Sequence, residues 1–289
     1  MARKRVFRIL LRAICVAGCL LHSGRAVPAQ GATDVTQQRA NAEESPALEA
    51  LTIRIVQDNY PYSDELETAW GFAAWVDGAE KTLLFDTGSD GTLLLANMAK
   101  LDLDPNDVET VVISHNHADH TGGLVGLLQR HADLDLYGLE SFPARFKQVV
   151  RDYGARLVEV KVPVSICAQV RSTGQVGTRI PEQALVVRTQ RGLVVITGCA
   201  HPGVVRMVER AKAVYEGEDV LLVLGGFHLG WASAAELDQV IAALQGLGVR
   251  YVAPTHCSGD KTRARFHERF GNRYLEVGAG KIITLTDLK

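Results

Sequence analysis

The chain has 289 residues, of which 47% are hydrophobic and 22% are charged, and its formal net charge is −2. Without a targeting segment this length fits one globular domain of roughly 250 residues and argues against two full-size domains. A nearly neutral chain gives no electrostatic reason to expect nucleic acid as a partner.

The N-terminus has the pattern of a secretory signal peptide over residues 1–29. A basic start precedes a short apolar run, Ala13–Leu21, and small residues allow cleavage after Ala29. An uncleaved membrane anchor is one alternative, but Arg12 leaves too few apolar residues to span a bilayer comfortably. A lipoprotein signal with Cys19 lipidated is the other. We therefore expect a periplasmic or secreted protein with no stable membrane span after cleavage.

Beyond the signal, the polar residues 30–48 predict a disordered lead-in, and residues 49–289 predict a single folded domain. The domain contains three cysteines: Cys167, Cys199 and Cys257. An odd number does not suggest a disulfide framework. Two of them stand beside histidines and could be metal ligands or a redox pair, although small buried side chains are the favoured interpretation.

Three predicted strands open the domain: Leu51–Gln57, Trp70–Val76 and Lys81–Phe85. Asp86 follows the third strand in the sequence Phe-Asp-Thr-Gly-Ser, ahead of a predicted helix over Leu93–Leu101. Either Asp86 or Ser89 could cap that helix or close an Asx-turn.

The most informative stretch is Val111–Gly123, in which an apolar strand ends in His-Asn-His-Ala-Asp-His-Thr-Gly-Gly. The rings of His115 and His117 can turn to one side of a tight loop. Asp119 and His120 then reach a second point a few ångströms away. Imidazole and carboxylate donors suit zinc, manganese or iron, and the absence of cysteine among them argues against a closed structural zinc site.

The second half of the chain repeats the pattern of a branched strand, a turn and a histidine. Three such strands are predicted: Leu193–Ile196, Val220–Leu224 and Tyr251–Ala253. They lead into His201, His228 and His256, respectively. Histidines at three separate strand ends are hard to explain as core packing, so we expect His201 and His256 to bind metal or to line the site.

The remaining segments are predicted to support these strands. The predicted helices are Leu124–Arg130, Ser141–Arg151, Val204–Tyr215, Ala234–Leu247 and Thr262–Phe270. Ser233 and Glu236 form a capping-box signature at the start of the fourth helix. Leu134–Tyr137 is a further predicted strand, and Leu157–Arg171 is predicted to form edge hairpins.

The central His-x-His-x-Asp-His motif resembles that of the metallo-β-lactamase superfamily. Four further strings are similar to the branch that contains the dihydropterin-ribofuranosylaminobenzene phosphate synthases: Phe-Asp-Thr-Gly, Gly-Cys-Ala-His-Pro-Gly, Gly-Gly-Phe-His-Leu and Pro-Thr-His-Cys-Ser-Gly. The resemblance extends from Leu51 to the end of the chain. It implies an α/β fold, the four-layer αβ/βα metallo-β-lactamase sandwich, as a single domain.

The resemblance also implies two divalent metal ions, with zinc expected and manganese or iron as alternatives. The implied ligands of the first metal are His115, His117 and His201. Those of the second metal are Asp119, His120 and His256. Asp86 would accept a hydrogen bond from a metal-bound histidine and fix its tautomer.

Two positions depart from the family pattern. His228 stands at a strand end where many two-metal members have a bridging aspartate, and it could be a metal ligand or bind an anionic group of the substrate. Asn116 replaces a glycine that is usual in the branch. This change lies between ligands, so we expect it to alter loop geometry more than ligation.

These observations predict a metal-dependent hydrolase. The chain has neither a Gly-x-Ser-x-Gly elbow nor a phosphate-binding P-loop, so metal-activated water is the only strong nucleophile. Asp119 would orient that water and take up its proton, and His228 is the other candidate catalytic residue. The expected substrate is a small molecule: a β-lactam, a lactone or a phosphodiester.

Other functions fit the sequence less well. A synthase-like transferase fits the branch but fits an export signal poorly, and a non-enzymatic metal-binding protein of the same fold is a further alternative. His117 argues against the di-iron oxidoreductases, which have glutamate at this position. The sequence also lacks the basic arm that would be expected of a nuclease of this fold. The sequence does not indicate an oligomeric state.

Overall fold

The computed structural model describes residues 46–289. The predicted signal peptide and residues 30–45 of the predicted lead-in lie outside the described residues. The folded chain already includes Leu48, which is buried and whose backbone N–H donates to the carbonyl of Arg188 at 3.2 Å. Between residues 46 and 289, no helix combines the length and the apolar character needed to cross a membrane.

The first half of the chain, with one strand from the C-terminus, forms a seven-stranded mixed sheet. Its strands, in order across the sheet, are β13 (Ile282–Thr284), β1 (Thr52–Gln57), β2 (Ala73–Asp77), β3 (Leu83–Phe85), β4 (Thr110–Val112), β5 (Asp135–Leu139) and β6 (Arg156–Val160). Strands β3 to β6 are parallel, so their carboxyl ends lie at one edge. The helices of this half are α1 (Gly91–Lys100), α2 (Ala118–Thr121), α3 (Leu124–Arg130) and α4 (Ala144–Asp152).

The second half forms a six-stranded sheet. Its strands, in order across the sheet, are β12 (Tyr251–Thr255), β11 (Val220–Gly226), β10 (Gly192–Thr197), β9 (Leu185–Thr189), β8 (Val170–Ser172) and β7 (Val164–Cys167). Strands β10, β11 and β12 are parallel, and the other neighbours are antiparallel. The helices of this half are α5 (Val204–Val214), α6 (Ala234–Gly246) and α7 (Asp260–Phe270).

The alternation of side chains along β10 explains how the layers pack. Val194 and Ile196 belong to the core that joins the two sheets, whereas Leu193 and Val195 belong to a second core shared with α5, α6 and α7. Successive side chains of a strand point to opposite faces, so a strand buried on both faces is apolar throughout. Fully burying each such side chain stabilises the fold by about 1.5–3 kcal/mol. The predicted αβ/βα sandwich is confirmed.

Two strands were not predicted, β9 and β13. Strand β9 is antiparallel to both β8 and β10, so it links the edge hairpin to the central strands. Strand β13 has three residues and pairs with β1 at the other end of the sequence. A strand this short is defined by its long-range partner, and local composition does not reveal that partner.

Three local details differ from expectation. Helix α1 is capped by Asp90, whose carboxylate accepts a hydrogen bond from the N–H of Leu93 at 2.9 Å, so neither Asp86 nor Ser89 has that role. The tight loop predicted after β4 contains the one-turn helix α2. Strand β2 begins three residues after Trp70, because the chain there turns toward the histidine cluster. The capping box of Ser233 and Glu236 is confirmed.

Candidate metal centre

The carboxyl ends of the parallel strands of both sheets bring the predicted site residues together. Strands β3 and β4 lead into Asp86 and into the central histidine motif, and strands β10, β11 and β12 lead into the other three histidines. The structure places all eight predicted residues in this one region: Asp86, His115, His117, Asp119, His120, His201, His228 and His256.

Three histidines form the first group of candidate ligands. The ring centroids of His115 and His117 are 4.5 Å apart, and those of His115 and His201 are 4.8 Å apart. The centroids of His117 and His201 are 4.9 Å apart. His115 Nε2 and His117 Nδ1 face each other at 3.0 Å. His115 is buried and His117 is exposed, so this group lies between the core and solvent.

Asp119, His120 and His256 form the second group. Asp119 Oδ2 lies 3.7 Å from His120 Nε2 and 3.3 Å from His256 Nε2. The same oxygen accepts a hydrogen bond from Trp70 Nε1 at 2.8 Å, which fixes the orientation of the carboxylate. The rings of His120 and His256 are nearly perpendicular, with centroids 5.0 Å apart.

The hydrogen bonds on the outer side of the second group determine its histidine tautomers. His120 Nδ1 lies 2.7 Å from Asp86 Oδ2, and His256 Nδ1 lies 2.9 Å from Asn59 Oδ1. Carboxylate and amide oxygens only accept hydrogen bonds, so each Nδ1 carries a proton. In the neutral ring Nε2 then presents a lone pair toward the centre of the cluster.

Glu182 has the same role for the first group. Its Oε1 lies 2.6 Å from His201 Nδ1 and 3.2 Å from His115 Nδ1, and its Oε2 accepts a hydrogen bond from the backbone N–H of His201 at 3.1 Å. Glu182 is buried. Glu182 therefore orients the ring of His201 and lies beside that of His115, whose Nδ1 is 3.0 Å from Ser114 Oγ. The Nε2 atoms of both rings remain lone-pair donors.

The donors present fit divalent metal ions. His256 Nε2 is buried and makes no hydrogen bond, although Asp119 Oδ2 is 3.3 Å away. An unpaired buried nitrogen is costly in a folded protein unless a cation or a proton satisfies it. Two groups of four residues each bring one donor atom per residue within 4.8 Å of the others, and one group lies on each side of the cluster. These are His115, Glu182, Cys199 and His201, and Asp119, His120, Cys199 and His256.

The protonation states of the predicted ligands bear on metal binding. Burial lowers the pKa of His115 far below its usual range, and burial together with the neighbouring His201 lowers the pKa of His117, so both rings are neutral. Burial alone would raise the pKa of Asp119, but nearby His256 and His120 lower it, so Asp119 is a carboxylate. Burial alone would lower the pKa of His120, but Asp86 raises it, so a divalent ion bound at His120 Nε2 would take the place of a proton.

Asp86 also connects the end of β3 to the segment that follows β4. It accepts hydrogen bonds from the backbone N–H and the hydroxyl of Ser114, both at 2.7 Å. Gly198 follows β10 and lies against this pair, so that a Cβ at Gly198 would be 2.1 Å from Ser114 Oγ and 3.0 Å from Asp86 Oδ2. Only glycine allows the two sheets to approach this closely at the site.

Gly198→Ala is expected to destabilise the protein by about 1–3 kcal/mol, because the added methyl group forces Ser114 and Asp86 to move. It should also weaken metal retention, since His120 loses a fixed partner. The matched control is Gly246→Ala at the end of α6, where an added Cβ meets nothing within 4 Å. Urea unfolding of both variants with chelator present measures the effect. Equal stability of Gly198→Ala and the wild type would contradict this account.

His228 borders the first group on the solvent side. Its ring centroid lies 4.2 Å from that of His201, and its backbone adopts a φ of 50°. A hydrogen bond with Cys257 raises the pKa of His228. One donor atom each of Cys199, His228 and Cys257 lies within 4.8 Å of the others. The strained backbone presents the exposed ring beside the cluster rather than within it.

The three cysteines of the described chain are free. Cys199 is buried, as predicted, whereas Cys257, which was also expected to be buried, is partly exposed. Cys167 is buried as well. The position of Cys199 goes beyond that prediction, because its Sγ lies 3.2 Å from His120 Nε2. The hydrogen bond with Cys257 and burial raise the pKa of Cys199, so without a cation it is a neutral thiol.

Three residues that contact the candidate ligands were not predicted: Asn59, Trp70 and Glu182. Asn59 follows β1 after one intervening residue, so it stands near a strand end, as Asp86 does, and its position in the sequence could have indicated it. Trp70 and Glu182 lie in irregular segments. Their proximity to the histidines arises only from the tertiary fold.

Comparison with known proteins agrees with the motifs. The family model of the metallo-β-lactamase superfamily matches residues 71–260. The chain is 28% identical to 7,8-dihydropterin-6-methyl-4-(β-D-ribofuranosyl)-aminobenzene-5′-phosphate synthase from Methanocaldococcus jannaschii, over 72% of this chain and 85% of the relative.

Among solved structures, Tm1679, a metal-dependent hydrolase of the β-lactamase superfamily, is 28% identical with a TM-score of 0.68. The match covers 81% of this chain and 98% of Tm1679. The short form of human tRNase Z shares the fold at 15% identity and a TM-score of 0.55, over 80% of this chain and 98% of that chain. The predicted resemblance is therefore confirmed, and the chain belongs to the metallo-β-lactamase superfamily.

Proposed function

We propose that the protein is a metal-dependent hydrolase that binds two divalent ions, zinc in the first instance. The observation that carries the proposal is the set of four histidines with Nδ1 engaged by an outer acceptor: His115, His120, His201 and His256. Such pairing fixes a ring and its tautomer for metal ligation. His115, His117 and His201 would hold one ion, and Asp119, His120 and His256 the other.

The proposed chemistry divides between the ions and the side chains. When bound, two divalent ions would lower the pKa of water toward about 7 and would polarise the carbonyl or phosphoryl oxygen of the substrate. Asp119 is held by Trp70 and only partly exposed, so its carboxylate can orient the attacking water and accept its proton. His228 can donate an N–H to a negatively charged oxygen of the substrate from the solvent side.

The openness of the site supports a small substrate. His117 and His228 are exposed, whereas His115, His120 and His256 are buried beneath them. A substrate would therefore approach the cluster from one side. We propose a β-lactam, a lactone or a phosphodiester as the substrate class, and the N-terminal sequence favours action outside the cytosol.

The test is metal content per chain together with hydrolysis of three substrates: a chromogenic cephalosporin, a lactone and bis-p-nitrophenyl phosphate. The protein is loaded separately with zinc, manganese and iron(II). We expect two ions per chain and turnover of one substrate class, abolished by chelator and restored by metal. A protein that retains no metal would overturn the proposal.

A second candidate function is a synthase-like transferase. It is favoured by the relative from Methanocaldococcus jannaschii, which is named as a synthase and is 28% identical over most of its length. The same test separates the two candidates. Two bound ions without turnover of any substrate in the panel would favour the synthase-like reaction or a non-enzymatic protein.

A further inference from the structure

We propose that Cys199 is a thiolate ligand shared by the two metal ions. This inference rests on the two-metal centre proposed above. Its basis is position, because Cys199 belongs to every group of potential ligands that the described residues form. Its Sγ lies within 4.8 Å of donor atoms of His115 and His201 on one side and of Asp119, His120 and His256 on the other.

The surroundings of the sulfur fit a ligand better than a packing group. Cys199 Sγ lies 3.2 Å from His120 Nε2, the nitrogen left free by the pairing of His120 with Asp86. The side chain is 3% exposed, so the sulfur is enclosed among the histidines. A purely structural cysteine would pack against apolar neighbours, whereas this sulfur contacts the ring nitrogen of a predicted ligand and the thiol of Cys257.

Charge provides a second argument. Two divalent ions bring four positive charges, and Asp119 is the only anion among the six predicted ligands. Glu182 is committed to His115 and His201 through their Nδ1 atoms. A buried excess of positive charge is unfavourable unless an anionic donor compensates it. A thiol bound to a divalent ion gives up its proton, so Cys199 would supply one further negative charge at the centre of the cluster.

The neighbours of Cys199 make its role distinguishable from that of Cys257. Among the described residues, Cys257 is the only other cysteine near the site, and its Sγ lies 3.7 Å from the carbonyl oxygen of Cys199. It shares a group with His228 but not with either set of predicted metal ligands. Cys257 should therefore be dispensable for metal binding, whereas Cys199 should not.

Cobalt(II) binding tests the inference independently of activity. Cobalt(II) occupies the same nitrogen, oxygen and sulfur sites as zinc, and only a thiolate ligand adds an intense charge-transfer absorption in the near ultraviolet. Full-length metal-free protein is titrated with cobalt(II) as wild type, Cys199→Ala, Cys199→Ser and Cys257→Ala. Cys167→Ala is the matched control, since Cys167 is a buried cysteine of β7 that belongs to none of the ligand groups.

We expect the charge-transfer absorption in the wild type, Cys257→Ala and Cys167→Ala, and its loss in both Cys199 variants. Removal of a ligand should weaken cobalt binding by more than the roughly 10–100-fold cost typical of an outer hydrogen-bond partner. Cys199→Ser nearly preserves the side-chain volume, so it decides the result if Cys199→Ala does not fold by circular dichroism.

Two outcomes would overturn the inference. The absorption could persist in the Cys199 variants, or the wild type could bind cobalt without it. Loss of the absorption only in Cys257→Ala would assign the ligand to Cys257 and would equally overturn it. A wild type that binds no metal would overturn the proposed hydrolase as well, whereas intact metal binding and hydrolysis in Cys199→Ala would overturn this inference alone.

Discussion

His117→Ala is expected to release metal and abolish turnover while the fold stays intact. His117 is exposed, and the core does not depend on its ring. Its Nδ1 lies 3.0 Å from His115 Nε2, so the two nitrogens are close enough to bind the same metal ion. Loss of one of the three donors should lower metal affinity by more than the roughly 10–100-fold that is typical when an outer hydrogen-bond partner is removed. Metal per chain after dialysis and kcat/KM on the substrate found by the panel are the measurements.

His115→Ala should give the same loss of metal and activity, with an added loss of stability because His115 is fully buried. Comparing the two variants separates ligation from packing. The matched control is His131→Ala, which removes a histidine of the loop after α3, remote from the candidate ligands. Full metal retention and turnover in His117→Ala would refute its assignment as a ligand.

The sequence predicted which side chains come together at the candidate site because the motif is local. A strand of branched residues followed by histidines defines both the element and the end at which its polar side chains emerge. Parallel strands then place His201, His228 and His256 beside the central motif, because the carboxyl ends of such strands share an edge. Asp86, which the family resemblance identified, also stands at a strand end, and so does Asn59.

The site residues that the sequence did not reveal depend on contacts between distant segments of the chain. Glu182 lies 67 positions from His115 and 19 from His201, as the numbering shows. Its loop carries no signal that an isolated glutamate will be buried. Trp70 was predicted as a strand residue, but its indole N–H is drawn to Asp119, and the strand starts later. Tertiary contacts overrode local propensity at both positions.

Cys199 illustrates a different limit. In the sequence it stands two residues before His201, and small buried cysteines are common, so packing was the favoured interpretation. The fold shows that its sulfur faces both groups of histidines. Residue type and spacing do not encode this direction, because the backbone of Ala200 adopts a φ of 57° between them. A positive φ at a non-glycine residue is rare and redirects the following chain.

Glu182→Gln is expected to lower metal affinity by roughly 10–100-fold, with a matching fall in kcat/KM at limiting metal. The carboxylate accepts hydrogen bonds with both oxygens, from His201 Nδ1 with one and from the His201 backbone N–H with the other, and the first oxygen also lies 3.2 Å from His115 Nδ1. A glutamine of the same size has only one acceptor oxygen. Either orientation of the amide therefore sets its NH₂ group against a donor, and one histidine is released or changes tautomer.

Excess metal should restore much of the activity of Glu182→Gln, because its ligands are still present and only their orientation is impaired. The metal dissociation constant, measured by chelator competition, gives the direct readout. The matched control is Glu80→Gln, in which an exposed carboxylate accepts a hydrogen bond from the backbone N–H of Ala168 at 2.9 Å. An unchanged dissociation constant in Glu182→Gln would show that this buried carboxylate supports the fold rather than the metal site.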